Sequence, residues 1–168
     1  MLDKVFGVMV LTLNNYFRNR YFIAEDLVVA SNLLNLDGTA AAQIDNKIVL
    51  SLVGINYDAQ PQSEDLVPNL KIMVSANFNS NNYAEALKTL SLAIKFFQRH
   101  AVLNHQNTLE LDAELIELNV SMENLSVTEM HQIWSTLASR YLPSVLFRVQ
   151  VKLAPESQLQ YSLAPQLE

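Results

Sequence analysis

The sequence has no cysteine and only three glycines among its 168 residues. Without cysteine there is no disulfide, no thiolate nucleophile and no zinc–thiolate site. The glycines Gly7, Gly38 and Gly54 belong to no G-x-G-x-x-G or G-x-x-x-x-G-K pattern, which excludes the loops that wrap a nucleotide phosphate. We therefore expect a fold that is held together by packing alone, as in a reducing cytoplasm.

Long apolar runs are also missing. The run VFGVMVLTL at 5–13 is too short to span a bilayer, and the polar residues after it contain no small-x-small cleavage site. We interpret this run as part of a core helix. The protein is accordingly expected to be made and kept in the cytoplasm.

Charge is sparse and mostly of one sign. Acidic residues number 17 and basic residues 11, which gives a net charge of -6. Such a chain repels a phosphate backbone, so nucleic acid is not an expected ligand. Half of the residues are hydrophobic and only 17% are charged, which predicts one packed core and a surface apolar enough to meet protein partners.

Hydrophobic spacing predicts alternating helices and strands. Helices show apolar residues at intervals of three and four, and strands show every second residue apolar. The predicted elements are, in chain order, a helix at 2–20, β-rich segments at 27–34 and 47–57, a strand at 70–78, a helix at 83–97, a strand at 116–122, a helix at 126–137 and a strand at 145–153.

Two helix starts carry capping signals. Asn82 with Glu85 has the spacing of a capping pair, and Ser126 with Glu129 forms a capping-box sequence. The apolar stripe predicted for the first of these helices is Tyr83, Ala86, Leu87, Leu90, Ile94 and Phe97. The second helix is expected to bury Met130, Ile133, Trp134 and Leu137.

Turn and loop signals separate the elements. Asp37-Gly38 marks a turn, 58–68 carries two prolines and three acids and is predicted to be a surface loop, and 104–108 is polar. The apolar phase slips between Leu115 and Ile116, which we interpret as a bulge. The segment at 48–53 is apolar on both faces, as in a central strand covered on both sides.

The order of these elements predicts an α/β fold, a single domain with a mixed β-sheet of about five strands packed by three helices. Strand, helix and strand follow one another at 70–103 and again at 116–153, and each connection is long enough to place its strands parallel. The domain is placed at 1–153. Residues 154–168, rich in proline and glutamine, are interpreted as a C-terminal tail.

Candidate catalytic groups are few. His100 and His105 are five residues apart across a helix end, which does not place two imidazoles on one helical face for a metal, and His131 has no nucleophile or acid beside it in sequence. The acids of 110–123 are predicted to line a solvated strand face. We therefore expect no enzyme, no cofactor, no metal and no small-molecule substrate.

Several stretches resemble the N-terminal domain of the cap proteins of contractile injection systems, phage-tail-like particles whose cap is the tail terminator. The stretches are NYAEALKTLSLAIKFFQ at 82–98, LELD at 109–112, DNKIVLSLVGI at 45–55 and ENLSVTEMHQIWSTLASRYLPSVLFRVQV at 123–151. The similarity runs nearly to residue 153. Its most specific part pairs one helical residue with the corner that follows, namely Trp134 with Tyr141, Leu142, Pro143 and Ser144.

The resemblance implies a tail-terminator-like fold and an assembly role without catalysis. In this family the cap forms a six-fold ring on the last layer of inner tube and sheath, so the implied partners are further copies of the chain and the tube and sheath subunits. The particle would assemble in the cytoplasm and be either membrane-anchored or released. The alternative from the residues alone is a small adaptor or regulatory module that binds one protein partner.

Contact residues can be proposed from charge and from alternation. Two arginines lie at a helix end whose dipole favours positive charge, two basic residues lie on the polar face of the last strand, and three apolar residues alternate in the tail. The tail is expected to add an extended segment to a neighbouring subunit. These candidates are Arg18, Arg20, Arg148, Lys152, Leu159, Tyr161 and Leu163.

Overall fold

A computed structural model of the protein describes residues 1–59 and 66–155. Its helices are α1 (Leu2–Tyr21), α2 (Tyr83–Arg99) and α3 (Val127–Thr136), with a short 3-10 turn at Ser80–Asn82 before α2. Its strands are β1 (Val28–Ala30), β2 (Lys47–Ala59), β3 (Leu66–Asn77), β4 (Val102–Asn104), β5 (Leu115–Glu123) and β6 (Ser144–Leu153). No helix in these two ranges is long and apolar enough to cross a membrane.

The strands form one mixed sheet in the order β1-β2-β3-β6-β5-β4. This arrangement confirms the predicted α/β class with three helices. The sheet has six strands and not about five, because the three-residue edge strand β4 is too short to leave a periodic signal. β1 and β2 are parallel, and all other neighbours are antiparallel.

The prediction of parallel strands at both crossovers is wrong. β5 and β6 are antiparallel neighbours, while β3 and β4 lie on either side of that pair and run in opposite directions. A parallel return from β5 would need a connection about as long as the strand, roughly 30 Å for nine residues. The ten-residue helix α3 spans only about 15 Å, and the chain enters β6 at the end where β5 stops, since Glu123 pairs with Leu146.

Helices α1 and α2 cover one face of the sheet and enclose the main core. The core residues of α1 fall at the predicted helical spacing and include Val5, Met9, Leu13 and Phe17. On the sheet side they meet the alternating residues of β3 and β6, and the rings of Phe97 and Phe147 lie 5.1 Å apart at the centre.

Helix α2 is rotated relative to the predicted stripe. Ala86, Leu90 and Phe97 are buried as expected, but Tyr83 and Leu87 are exposed. The residues that share the buried face are Thr89, Ala93 and Phe96. Asn82 is the N-cap residue of α2, but its side chain makes no cap hydrogen bond, so the predicted Asn82–Glu85 capping pair is wrong; a 3-10 turn precedes the helix instead.

A smaller core lies on the opposite face of the sheet, beneath α3 and the segment 31–46. It consists of Leu33, Ile44, Val49 and Trp134. The predicted capping box opens α3: the Ser126 side chain accepts from the Glu129 N–H and the Glu129 carboxylate accepts from the Ser126 N–H. The core position predicted for Trp134 is confirmed, since its side chain is 4% exposed.

The boundaries of the first strands differ from prediction. β1 covers only three residues of 27–34, and Leu34 instead bridges Ala40 across the Asp37-Gly38 turn, where Gly38 adopts φ +80. The loop predicted at 58–68 is shorter, because β2 runs to Ala59 and β3 begins at Leu66. The remaining residues of that loop, 60–65, lie outside the described part of the chain.

The predicted irregularity at the start of β5 is confirmed by a register shift between Leu115 and Glu117. Leu118 and Val120 point into the main core, whereas Ile116 and Met122 are exposed, so the apolar alternation predicted for this strand holds only at its centre. β6 ends at Leu153, and the division between domain and tail at this point stays a prediction.

Candidate interaction surfaces

The polar face of the sheet carries cross-strand ion pairs between β5 and its neighbours. Lys152 Nζ lies 2.6 Å from Glu117 Oε1, and Arg148 Nε lies 3.9 Å from Glu123 Oε1. Lys71 on β3 also contacts Glu123, at 3.4 Å. The basic residues of β6 therefore face acidic residues of the neighbouring strand β5.

These pairs neutralise charge within the surface. The Lys152 ammonium and then the Asn119 amide hold the pKa of Glu117 below its usual range. A carboxylate stabilised in this way stays ionised and keeps its partner engaged near neutral pH. Arg148 and Lys152 consequently offer less free charge to another protein than the sequence alone indicated.

The acids before β5 do not lie on a strand face, contrary to prediction. Asp112 and Glu114 belong to the loop that precedes β5, where each has a carboxylate oxygen 2.9 Å from Lys4 Nζ on α1. The hydrogen bonds that the Lys4 ammonium donates to Glu114 and Asp112 raise the pKa of Lys4. This cluster fastens the loop to the first helix, which is a structural role.

A groove of about 440 Å³ lies between the C-terminal ends of α1 and α2 and the loop after β4. Its lining includes Arg20, Asn15, Tyr16 and Phe96, together with His100. One basic residue, Arg20, and one acidic residue, Glu110, thus line the groove, next to the carbonyl ends of both helix dipoles. We call this feature the helix-end groove.

The arginines at this end differ in what they contact. Arg18 NH2 lies 2.8 Å from Asp26 and its other terminal nitrogen donates to Asn15. Arg20 and Arg99 lie within 4 Å of no carboxylate among the residues that the structure describes. Sequence analysis singled out Arg20 but not Arg99, because only the packing of α1 against α2 brings the two helix ends together.

The aromatic residues of the helix-end groove are fixed by stacking. The Tyr16 and Phe96 rings are 5.0 Å apart, and His100 stacks on Phe96 at 4.6 Å with Nδ1 3.0 Å from the Phe96 carbonyl oxygen. A hydrogen bond with Tyr21, followed by burial, raises the pKa of Tyr16. The phenol therefore remains neutral near physiological pH.

The outer edge of β2 forms another exposed surface. β1 pairs only with Ile48 to Leu50, although β2 continues to Ala59. Three large side chains on this free stretch are partly exposed, namely Leu52, Ile55 and Tyr57. The expectation of a strand covered on both faces at 48–53 holds from Ile48 to Ser51, which are all buried, and is wrong from Leu52, whose side chain is 37% exposed.

The corner between α3 and β6 contains the residues that carry the family resemblance. Trp134 packs edge-on against Tyr141 with ring centroids 5.6 Å apart, and Leu142 packs on the smaller core. The Pro143 carbonyl accepts from the Ala76 N–H at 2.9 Å, and Ser144 pairs with Ser75 on β3. These contacts hold the end of α3 against the central strands.

The histidines have structural partners or surface positions. His105 Nε2 lies 2.8 Å from the Leu115 carbonyl oxygen, and His131 is exposed beside a shallow pocket under α3. Within 1–59 and 66–155 no group of three or more His, Asp or Glu side chains could hold a metal ion. The tail candidates Leu159, Tyr161 and Leu163 lie outside the described residues.

Three helices on a curled six-stranded mixed sheet define a terminator-like fold. The chain matches a solved cryo-EM structure described as the PVC sheath/tube terminator, in the extended state, of an extracellular contractile injection system, with a TM-score of 0.59 and 16% identity. The match covers 92% of this chain and 57% of that one, so this chain spans little more than half the length of the structure it resembles.

The family model described as the Pvc16 N-terminal domain matches residues 8–165. The chain therefore belongs to the Pvc16 N-terminal domain family. None of the curated proteins matches it. Family and fold together confirm the resemblance to contractile-injection caps that the sequence motifs indicated.

Proposed function

We propose that this chain is a structural terminator, a cap that ends the inner tube and the sheath of a contractile injection system. The observation that carries the proposal is the match of the Pvc16 N-terminal domain model to residues 8–165, which is almost the whole chain. The likeness in fold to a sheath/tube terminator supports it independently of sequence identity.

As a terminator the protein acts by binding and not by catalysis. A cap must be stiff, since it holds the end of a loaded sheath, and the two cores on opposite faces of one sheet meet that need. The partners would be further copies of this chain in a ring, for which we propose six-fold symmetry, and the tube and sheath subunits below it. Assembly would take place in the cytoplasm, before the particle is anchored or released.

The helix-end groove is the surface that we propose for contact with tube or sheath. Arg20 lines the groove, Arg99 lies in the last turn of α2, and the fixed rings of Tyr16 and Phe96 offer a rigid apolar floor. Carboxylates of a partner would complement this charge. Arg18, Arg148 and Lys152 would contribute less, because each has an acidic neighbour in its own chain.

Particle length tests the proposed function directly. In cells that make the particle, loss of this chain should give tubes and sheaths of variable, excessive length in electron micrographs, and the wild-type chain should restore a uniform length. Uniform particles without this chain would contradict the proposal. Antibody label found along the sides of the particle, and not at one end, would contradict it equally.

The groove is tested by charge reversal at matched positions. Arg20→Glu should weaken binding of the purified chain to tube or sheath about tenfold or more, the size expected when a contact between opposite charges becomes repulsive. Arg140→Glu is the control, because Arg140 is also an exposed arginine but lies far along the chain after α3. Equal effects of the two substitutions would exclude the groove.

The mass of the protein in solution distinguishes a terminator from the alternative function, a small adaptor or regulatory module. A terminator should form a hexamer at micromolar concentration or on contact with tube protein. A regulatory module would remain a monomer or dimer in the presence of tube and sheath subunits.

A further inference from the structure

The outer edge of β2 is long and largely unpaired, which is unusual for a strand at the surface of a protein. β2 is thirteen residues long and β1 is three, so most of its outer side has no paired strand among the described residues. The free stretch LVGINY at 52–57 contains no charge and no proline. Natural edge strands that stay unpaired usually carry charges, prolines or a bulge, since an open row of N–H and C=O groups recruits another strand.

β2 has one of these features, a bulge, but it does not disrupt the whole edge. A register shift between Leu52 and Gly54 bends the strand, but β2 pairs regularly with β3 again from Gly54 to Ala59. The edge beyond the bulge is therefore regular and able to accept a partner. Such edges bind extended segments through main-chain hydrogen bonds, and alternate side chains of the segment supply the specificity.

The side chains at this edge select a particular kind of segment. Ile55 is opposite Leu70 and Leu52 is opposite Ile72, and both partners belong to the main core, so the exposed apolar residues lie on the helix-covered face. Gly54 and Asn56 are opposite Lys71 and Asn69, which places them on the polar face. An incoming strand would need apolar residues on one face and neutral polar residues on the other.

Residues 158–163, QLQYSL, have that pattern. Leu159, Tyr161 and Leu163 alternate with Gln158, Gln160 and Ser162, and the segment carries no charge. The family match extends to residue 165, so the segment is part of what the family model describes. We propose that residues 158–163 of one copy pair with the outer edge of β2 in a neighbouring copy, with the three apolar residues over Leu52, Ile55 and Tyr57.

The reach of the tail favours a neighbouring copy over the same chain. β6 lies two strands from β2, so the open edge is three strand spacings away, about 14 Å. The five residue steps from Leu153 to Gln158 span at most about 18 Å when fully extended. Only about 4 Å of that reach would remain for the turn out of β6 and the turn into a new strand, whereas a neighbour in a ring can present its edge directly.

This inference rests on the proposed ring, because it names the contact that joins its copies, and it identifies the acceptor for the tail. Disulfide trapping tests it without background, since the chain has no cysteine. Ile55→Cys in one chain is mixed with Leu159→Cys, Tyr161→Cys or Leu163→Cys in another and oxidised at high micromolar concentration. At least one pair should give about tenfold more mixed dimer than the control, because a disulfide needs Cβ atoms within about 4.5 Å.

The control is Val102→Cys on the opposite edge strand, β4, since Val102 and Ile55 are both 37% exposed. Cysteine at Gln160 should trap poorly because it would lie on the other face. Equal trapping at Val102 and Ile55 would overturn the proposal. So would a disulfide that forms only when both cysteines are in the same chain.

Oligomeric state gives a second, non-covalent readout. Tyr57→Lys places a charge on the edge and should shift the assembled protein to monomer, as should removal of residues 156–168. Tyr83→Lys on α2 should not, although Tyr83 and Tyr57 are both 56% exposed. If Tyr57→Lys still formed the ring, the proposed contact between the tail and β2 would be wrong. The proposed terminator function would not be affected by that result, because it is tested separately by the length of particles from cells that lack the chain.

Discussion

The Asn14 side chain on α1 holds both backbone groups of Val28 on β1: its Nδ2 donates to the Val28 carbonyl and its Oδ1 accepts from the Val28 N–H, each at 3.0 Å. Asn14 and Val28 are both buried. One amide therefore substitutes for the neighbouring strand that the edge strand β1 lacks on its outer side, and it ties the short edge of the sheet to the first helix.

Replacement of Asn14 by alanine should destabilise the protein by about 2 to 3 kcal/mol, because two buried backbone groups lose their partner. Urea unfolding followed by circular dichroism measures the change. Asn19→Ala is the control, since Asn19 is exposed on the same helix and should cost less than about 0.5 kcal/mol. A loss at Asn14 no larger than at Asn19 would mean that the edge strand is held by other contacts.

Replacement of Trp134 by alanine should cost about 3 to 5 kcal/mol, as expected for a large aromatic removed from a core. The structure adds a second expectation. Trp134 Nε1 is buried without a hydrogen-bond partner in the described part of the chain, so phenylalanine loses packing but no hydrogen bond. Trp134→Phe should therefore retain most of the stability, with a cost of about 1 to 2 kcal/mol.

Thermal melting distinguishes these two Trp134 variants. Val127→Ala, at an exposed position of the same helix, is the control and should leave the melting temperature almost unchanged. A melting temperature unaffected by Trp134→Ala would rule out its role in the smaller core. Equal losses for alanine and phenylalanine would indicate that the indole N–H has a partner after all.

Helix and strand positions were largely predictable because burial repeats with a fixed period in each element. The stripe of α1, the alternation in β3 and β6 and the Ser126 capping box all have strong local signals. The three residues of β4 are too few for any periodicity. The α2 stripe was misassigned because Tyr83 and Leu87 are large apolar residues that lie on the exposed side, while the small residues Thr89 and Ala93 share the buried face.

Strand direction and surface pairing depend on contacts distant in sequence. The length of a connection permits a parallel crossover but does not require one, and in β5 and β6 the register is antiparallel, with Glu123 opposite Leu146. For the same reason the sequence could not bring the C-terminal ends of α1 and α2 together or reveal the open edge of β2. Both features follow from how elements pack, and a local pattern carries no signal for either.

The capping box at the start of α3 should contribute measurably to the stability of the protein. Ser126→Ala removes the acceptor of the Glu129 N–H and should cost about 1 kcal/mol. Ser135→Ala is the control, because it lies inside the same helix at an exposed position where alanine is favourable. Chemical denaturation compares the two, and a larger loss at Ser135 would contradict the assignment of Ser126 as the cap.

The Glu117–Lys152 pair predicts a pH dependence of stability. The pKa of Glu117 is lowered in the folded protein by Lys152 and by Asn119, so the pair stabilises the fold above the unfolded-state pKa of about 4.3. That contribution is lost as the pH falls through the lower folded-state value. Glu117→Gln should therefore cost about 0.5 to 1 kcal/mol at neutral pH and progressively less in acid.

Urea unfolding of the wild type and of Glu117→Gln, repeated from neutral to acidic pH, measures this difference. Glu25→Gln is the control, because Glu25 is an exposed carboxylate before β1 and should show no comparable convergence. A Glu117→Gln deficit that stayed constant into strong acid would have to come from altered packing at the strand and not from the ion pair. A deficit that shrinks together with protonation identifies the cross-strand charge pair as its source, because the neutral acid and the amide then present the same charge to Lys152.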